Sequence, residues 1–325
     1  MNPFLLTNPL TNPLASQLLF RQFIMFSVGA LALTAVHLWR VKCAGRGDAA
    51  QALDPPEKVL WLRYGTWVAI ALIFTSALLT GPLAIAVLCA FICWQGGREY
   101  AALTSMPTSQ YLVLVLGGLA TLAAVLYWGA PALAIAPVLA FFGWSLLALQ
   151  PVQRETECER RFTTGLAGLW GYLYLGWLPA FLVALSMSKM PGLVLAAGLG
   201  VALSDIGAFC TGKLLRGPRL APRLSPNKTW GGLLGNLLGA ALAVTLTAFT
   251  LPDLPLWQRV LLIAAVGLGS AWGDLLESLL KRQGNVKDAG ELLPGFGSLL
   301  DRADSFLMVV PLVYYTVQCS SALKL

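Results

Sequence analysis

Long apolar runs broken by short polar stretches recur from one end of this 325-residue chain to the other, for example at 23–39, 111–128 and 230–249. A helix needs roughly 20 apolar residues to cross a bilayer. Ten runs approach or reach that length: 22–39, 60–79, 82–95, 110–127, 131–149, 164–185, 191–210, 230–248, 257–277 and 305–322. The third is short, and only the turn-forming pair Gly81-Pro82 parts it from the second. Those two runs are either separate spans or one span with a re-entrant piece. The pattern predicts an all-α, polytopic transmembrane helix bundle of about ten spans, without a large soluble domain.

Composition agrees. The chain is 57% hydrophobic and 11% charged, against about 45–50% and about 25% for soluble domains. A net charge of +7 on a soluble chain would point to nucleic acid; here it follows the loops. With the N-terminus outside and the spans alternating, the inside loops are 40–59, 96–109, 150–163, 211–229 and 278–304. Counting Arg63 with the first, they hold 18 of the 22 Lys and Arg residues. Cytoplasmic loops carry such an excess, so this orientation is expected, with the C-terminus outside and no nucleic acid partner. No signal-peptide cleavage pattern follows the first run, which is read as a retained membrane helix. The six cysteines are scattered, with no CxxC pair and no sign of a disulfide framework. Cys89 and Cys93 share a helical face inside an apolar run and are expected to be packing residues.

The acidic residues are not scattered. Eight of the fifteen lie after residue 200, and 281–305 gathers eight charges among glycines and a proline, between two oily runs. The chain is therefore divided by labour into a scaffold of spans, 1–190, and a functional half, 191–325, of one integral unit.

Three segments of that half carry chemistry. In 272–282, Asp274, Glu277, Ser278, Lys281 and Arg282 fall at i, i+3, i+4, i+7 and i+8, one face of a helix. A carboxylate near bilayer depth costs a few kcal/mol and persists when it faces a partner, an ion or water; Glu277–Lys281 pairing at i, i+4 is the plainer use of this face. Next, the turn-forming 294–298 leads to Asp301, Asp304 and Ser305 at i, i+3 and i+4. Two acidic groups one turn apart beside Arg302 suit a hard cation, while helix capping would account for one of them. Third, Asp205 sits near the end of an apolar run beside Gly207, Ala208 and Gly212, small residues that permit close helix packing. Ser225-Pro226-Asn227-Lys228-Thr229 follows, a cation and hydroxyls ahead of a helix whose free N–H groups suit phosphate; a capped loop is the plainer reading. Together these are the parts for phosphoryl or nucleotidyl chemistry. No GxxxxGK[ST] occurs, which excludes an ordinary P-loop.

Ser278-Leu-Leu-Lys281-Arg282, four residues, Lys287-Asp288, then Pro294-Gly295 and Leu300-Asp301-Arg302-Ala-Asp304-Ser305 resembles the signature of the phosphatidate cytidylyltransferases, or CDP-diacylglycerol synthases. Ser225-Pro-Asn-Lys228-Thr229-Trp230 is similar to that family's Ser-Pro-Lys-Lys-Thr-Trp-Glu-Gly motif, and Ser204-Asp205-Ile-Gly207-Ala208-Phe209 to its Asn-Asp-Thr-Gly-Ala-Tyr element. The resemblance covers roughly 195–310. It implies a membrane nucleotidyltransferase that joins CTP to phosphatidate, giving CDP-diacylglycerol and pyrophosphate, with Mg²⁺ and room for a second, monovalent cation. It implies a bacterial inner membrane location with the site facing the cytoplasm, and a homodimer would fit.

By the same resemblance Asp274 and Asp301 hold the metal, with Asp304 and Asp288 close by. Lys281, Arg282 and Arg302 join them in catalysis. Lys228 and Lys287 bind phosphate, and Asp205, Ser225, Thr229, Ser278 and Ser305 bind substrate. The chain departs from the family where Phe296-Gly297-Ser298 replaces His-Gly-Gly, where Asn227 and Gly231 replace a Lys and a Glu, and where Ser204 stands for Asn. Its one histidine, His37, lies far away in the first span and is read as satisfied or interfacial. A related lipid phosphate acceptor, a kinase-like step and a lipid transporter stand as alternatives. A transporter would spread polar residues over several spans, and a CDP-alcohol phosphotransferase would show a DGxxAR array that is absent.

Overall fold

The computed structural model of the chain describes residues 6, 8, 12, 15–43, 55–149, 155–188, 190, 192–251, 254–284, 290, 292 and 297–322. Lys287, Asp288, Glu291, Asp253 and Pro294-Gly295-Phe296 lie outside the described residues, as does the side chain of His37.

The apolar runs fold as helices, with boundaries set by glycine and proline. α1 is Ala15–Cys43, α2 Pro55–Thr80, α3 Pro82–Leu103, α4 Thr108–Trp128 and α5 Ala130–Ala148. α6 (Glu155–Gly171) runs through a π-helical stretch, Tyr172–Trp177, directly into α7 (Leu178–Ser186). α8 (Gly192–Leu215), α9 (Trp230–Leu246), α10 (Leu256–Gln283) and α11 (Leu300–Ala322) complete the bundle. Among the described residues these form ten continuous rods, one for each apolar run. The doubt over the third run resolves in favour of a separate helix. Gly81 turns the chain at φ 114°, a conformation that disfavours any side chain, and Pro82 starts α3 at its first turn.

Among the described residues, seven of the helices are long and apolar enough to cross a membrane by length and composition. Large apolar side chains line the outside, among them Leu139, Phe141, Phe142, Leu214 and Trp272. A water-soluble protein rarely exposes apolar surface on that scale; a bilayer accounts for it. The fold is a helical membrane bundle.

Inside, α3 and α7 form the centre. Ile85, Cys89, Phe181, Leu185, Leu193, Val266 and Val309 are buried in one cluster, and Phe181 packs edge-on against Trp177 and Tyr314 at 5.0 and 5.4 Å. A second cluster joins Tyr100, Leu114, Tyr174 and Leu175 to Leu280, Leu300, Ala303 and Leu307. Cys89 and Cys93 are free and buried in this packing, as expected. α8 and α9 approach to backbone contact where Gly207 meets Gly235, the close packing that the small residues of α8 foretell.

One element goes beyond the all-α expectation. The stretch 211–229, expected as a loop, contains an antiparallel hairpin of β1 (Arg219–Ala221) and β2 (Ser225–Thr229). Trp230 N–H donates to the Pro218 carbonyl at 3.0 Å, so the hairpin closes directly onto the start of α9.

Candidate active site

The C-terminal ends of α3, α8 and α10 and the N-terminal ends of α9 and α11 meet at one end of the bundle. α10 and α11 touch because Gly273 has no side chain: a Cβ there would lie 2.5 Å from Ser305 Cα and 2.6 Å from the Asp304 carbonyl. The two polar faces are thereby pressed together.

Lys281 is the hinge between them. Its Nζ lies 2.5 Å from Glu277 Oε1 on its own helix and 3.0 Å from Asp301 Oδ1 on α11. The i, i+4 pair foreseen for α10 is present, and Lys281 serves a second carboxylate as well. Lys228, delivered by β2, pairs with Asp274 Oδ2 at 2.5 Å. Asp205 of α8 accepts from Ser270 Oγ at 3.1 Å. Ser305 Oγ lies 3.1 Å from the Ser270 carbonyl and 3.4 Å from Asp274 Oδ1, and its one proton can serve either. A continuous polar path thus runs from Asp205 through Ser270, Ser305 and Asp274 to Lys228. The three segments singled out in the sequence converge.

Other predicted residues take smaller parts. Thr229 is the N-cap of α9, accepting from Gly232 N–H at 3.1 Å. Ser278 Oγ donates to the Asp274 carbonyl one turn back, at 2.8 Å. Both hydroxyls are engaged by backbone, so their expected contacts with substrate would be additional to these. Ser225 stands opposite Ala221 in the hairpin. Arg282, exposed, reaches the Leu224 carbonyl with Nε at 3.4 Å and ties α10 to the hairpin. Arg302 is exposed and acts electrostatically on Asp205. Asp301 does not cap α11; Ser298 does, accepting from Asp301 N–H at 3.0 Å. The serine that replaces the family's glycine therefore has a local task.

Two residues of the site come from the first half and were not foreseen. Glu99, buried near the end of α3, accepts from Leu299 N–H at 3.2 Å and Leu300 N–H at 2.8 Å, with Gln95 donating to the same carboxylate at 3.0 Å. It satisfies two of the free N–H groups that open α11 and places negative charge at a helix N-terminus. The second is Tyr174 in the π stretch. Its phenol is buried without a hydrogen-bond partner among the described residues. It belongs to the buried cluster of Leu300, Ala303 and Leu307, beside Asp301 and Asp304 of α11. Asp304 is only 2% exposed, and its Oδ2 also lacks a partner among the described residues. In the sequence Glu99 is a lone acid closing an apolar run, and Tyr174 one aromatic among many.

The donor set fits a hard divalent cation. Asp205, Asp274, Glu277, Asp301 and Asp304 interact with one another, facing Lys228, Lys281 and Arg302. If all are ionised, five carboxylates against three cations leave two negative charges uncompensated. Buried charge of one sign is discharged by protons or by a cation, and carboxylate oxygen suits Mg²⁺. Among the described residues no three ligands form a preformed cage: Asp274 and Asp301 are each held by a lysine.

A membrane bundle with carboxylates and lysines interleaved at one end defines the class: an integral membrane protein with a charged cluster where its helices converge. A family model described as "Cytidylyltransferase family" matches residues 61–320. The chain belongs to that family. It is 39% identical over 116 residues to a phosphatidate cytidylyltransferase of Synechocystis, covering 35% of this chain and 39% of that protein. It is 36% identical over 114 residues to the phosphatidate cytidylyltransferase of Bacillus subtilis, covering 34% and 42%, and 41% identical over 122 residues to that of Staphylococcus saprophyticus, covering 37% and 46%. In each case the alignment spans less than half of the relative's length.

Proposed function

We propose that the protein is a phosphatidate cytidylyltransferase. A phosphate oxygen of phosphatidate attacks the α-phosphorus of CTP. The P–O bond to the β-phosphate breaks, and CDP-diacylglycerol and pyrophosphate leave. The observation that carries this reading is the convergence of Lys228–Asp274, Ser270–Asp205 and the Lys281 bridge at one end of a membrane bundle, in a chain of the cytidylyltransferase family.

The nucleophile is anionic near neutral pH, so the site needs no general base. It must suppress repulsion between two anions, hold them in line and stabilise charge on the leaving pyrophosphate. Asp274, Asp301 and Asp304 would hold Mg²⁺, which when bound supplies charge neutralisation on phosphate oxygens. Lys228 and Lys281 are partners of carboxylates and would turn toward phosphate when the carboxylates take a cation. Arg282 and Arg302 add cations at the rim, where they can clamp the triphosphate; for Lys287 the phosphate-binding role is the one the family resemblance implies. Asp205 stays oriented by Ser270, and Ser305 links its neighbours. The acyl chains would remain in lipid between the spans, with CTP arriving from the cytoplasm.

The test is Mg²⁺-dependent conversion of labelled CTP and phosphatidate to CDP-diacylglycerol by purified protein in detergent. Asp274→Asn and Asp301→Asn should each abolish it. Wild type inactive on phosphatidate, while active on another lipid phosphate, would overturn the acceptor; full activity in either variant would overturn the metal residues.

A further inference from the structure

Resting on that reading, we propose that Tyr174 is a positioning residue of the site: in the metal-loaded protein its O–H donates toward Asp304 Oδ2, directly or through one trapped water, and fixes how this carboxylate turns. Three observations carry it. First, a buried hydroxyl without a protein partner is costly and rare, yet Tyr174, only 3% exposed, is such a group among the described residues. Second, Tyr174 belongs to one buried cluster with Ala303 and Leu307, which stand beside Asp304 on α11, and the buried Asp304 offers an acceptor oxygen that is likewise unpartnered among the described residues. One has a proton to give and the other can only accept when ionised. Third, Tyr174 stands on the π-helical stretch Tyr172–Trp177. Such stretches often mark functional sites, because the extra residue in the turn rotates the side chains that follow relative to a regular helix. Its neighbour Tyr172 shows the contrast: that hydroxyl is satisfied by Thr121 at 2.7 Å, away from the carboxylates.

Partners of this kind orient metal-binding carboxylates, and their loss typically weakens metal affinity or activity about 10–100-fold. Tyr174→Phe removes one oxygen and leaves the ring that packs with Leu280, Leu300 and Leu307. The probe is Mg²⁺ alone, titrated against the melting temperature of the purified full chain without CTP or lipid. Tyr174→Phe should raise the half-saturating Mg²⁺ concentration by about tenfold, and Tyr172→Phe should leave it unchanged. In an Asp304→Asn background, adding Tyr174→Phe should produce no further change, because the tyrosine acts through Asp304.

Equal Mg²⁺ response in wild type and Tyr174→Phe, equal shifts in both tyrosine variants, or an undiminished shift in the Asp304→Asn background would overturn the proposal. Should Tyr174→Phe fail to fold, Tyr174→Met, which also lacks the hydroxyl, takes its place: a raised Mg²⁺ midpoint there that disappears in the Asp304→Asn background supports the proposal, and an unaltered one overturns it. A wild type whose melting temperature ignores Mg²⁺ would sink the metal reading and this role together. That result is distinct from a responsive wild type with an identical Tyr174→Phe variant, which sinks only the role of Tyr174.

Discussion

Glu99→Ala is the sharpest test of how the site is held, because it touches no residue of the carboxylate cluster. Glu99 is 6% exposed and Leu300 fully buried, so water has little access to the two N–H groups that the carboxylate serves. Hydrogen bonds to a charged group contribute about 1.5–3 kcal/mol each, and charge at the helix N-terminus adds about 0.3–1 kcal/mol. Two such bonds, discounted for water entering the space left by truncation, set the expected loss at about 3 kcal/mol. Glu99→Gln keeps an oxygen in place without its charge, and about 1–2 kcal/mol is expected. At about 2 °C per kcal/mol for a chain of this size, the melting temperature should fall by about 6 °C and about 2–4 °C. The loss is local to the start of α11, so hydrogen exchange should rise in peptides covering 297–303 before it rises elsewhere. Asp301 sits one residue beyond Leu300, and turnover should fall in the same order, Ala below Gln below wild type. Unchanged exchange across 297–303 in Glu99→Ala would show that this carboxylate does not hold the helix start, and the reasoning would be refuted.

Three further outcomes are expected. Lys281→Met strips the shared cation from Glu277 and Asp301; breaking a mostly buried pair costs about 3–5 kcal/mol, so melting in detergent should drop well below that of Lys281→Arg, and equal melting would count against the bridge. Gly273→Ala places a methyl group against Ser305 Cα and the Asp304 carbonyl; overpacking of this kind costs about 1–3 kcal/mol, and both stability and Mg²⁺ response should suffer, whereas a neutral substitution would mean that the helices part freely. Cys158, exposed at the start of α6, tests orientation: in a variant whose only cysteine is Cys158, a membrane-impermeant maleimide should label inverted vesicles and spare intact cells, and the opposite pattern would reverse the topology.

The periodicity of apolar residues was enough to mark all ten rods, because a bilayer demands length and apolarity that the sequence displays openly. Helical spacing also put Asp274, Glu277 and Lys281 on one face, and the Glu277–Lys281 pair is there. What spacing does not say is which neighbour a polar face meets. Lys281 reaching Asp301, or Glu99 reaching Leu300 across 201 residues, depends on the packing of non-adjacent helices. Glu99 and Tyr174 were hidden for that reason, since each is ordinary in its own segment. The hairpin at 219–229 was hidden for another. Its strands are three and five residues long and mostly polar, too short for alternation to register.

α9 has a consequence for the lipid around it. Its 17 residues, apolar but for Asn236 and Thr245, give a rod of about 25 Å at 1.5 Å per residue, short of the roughly 30 Å hydrocarbon layer. Such a mismatch is relieved by local thinning of the bilayer. Because α9 begins beside Lys228, thinning at that spot would draw the leaflet surface inward and bring a headgroup toward the depth of the carboxylates while its tails stay in their own monolayer.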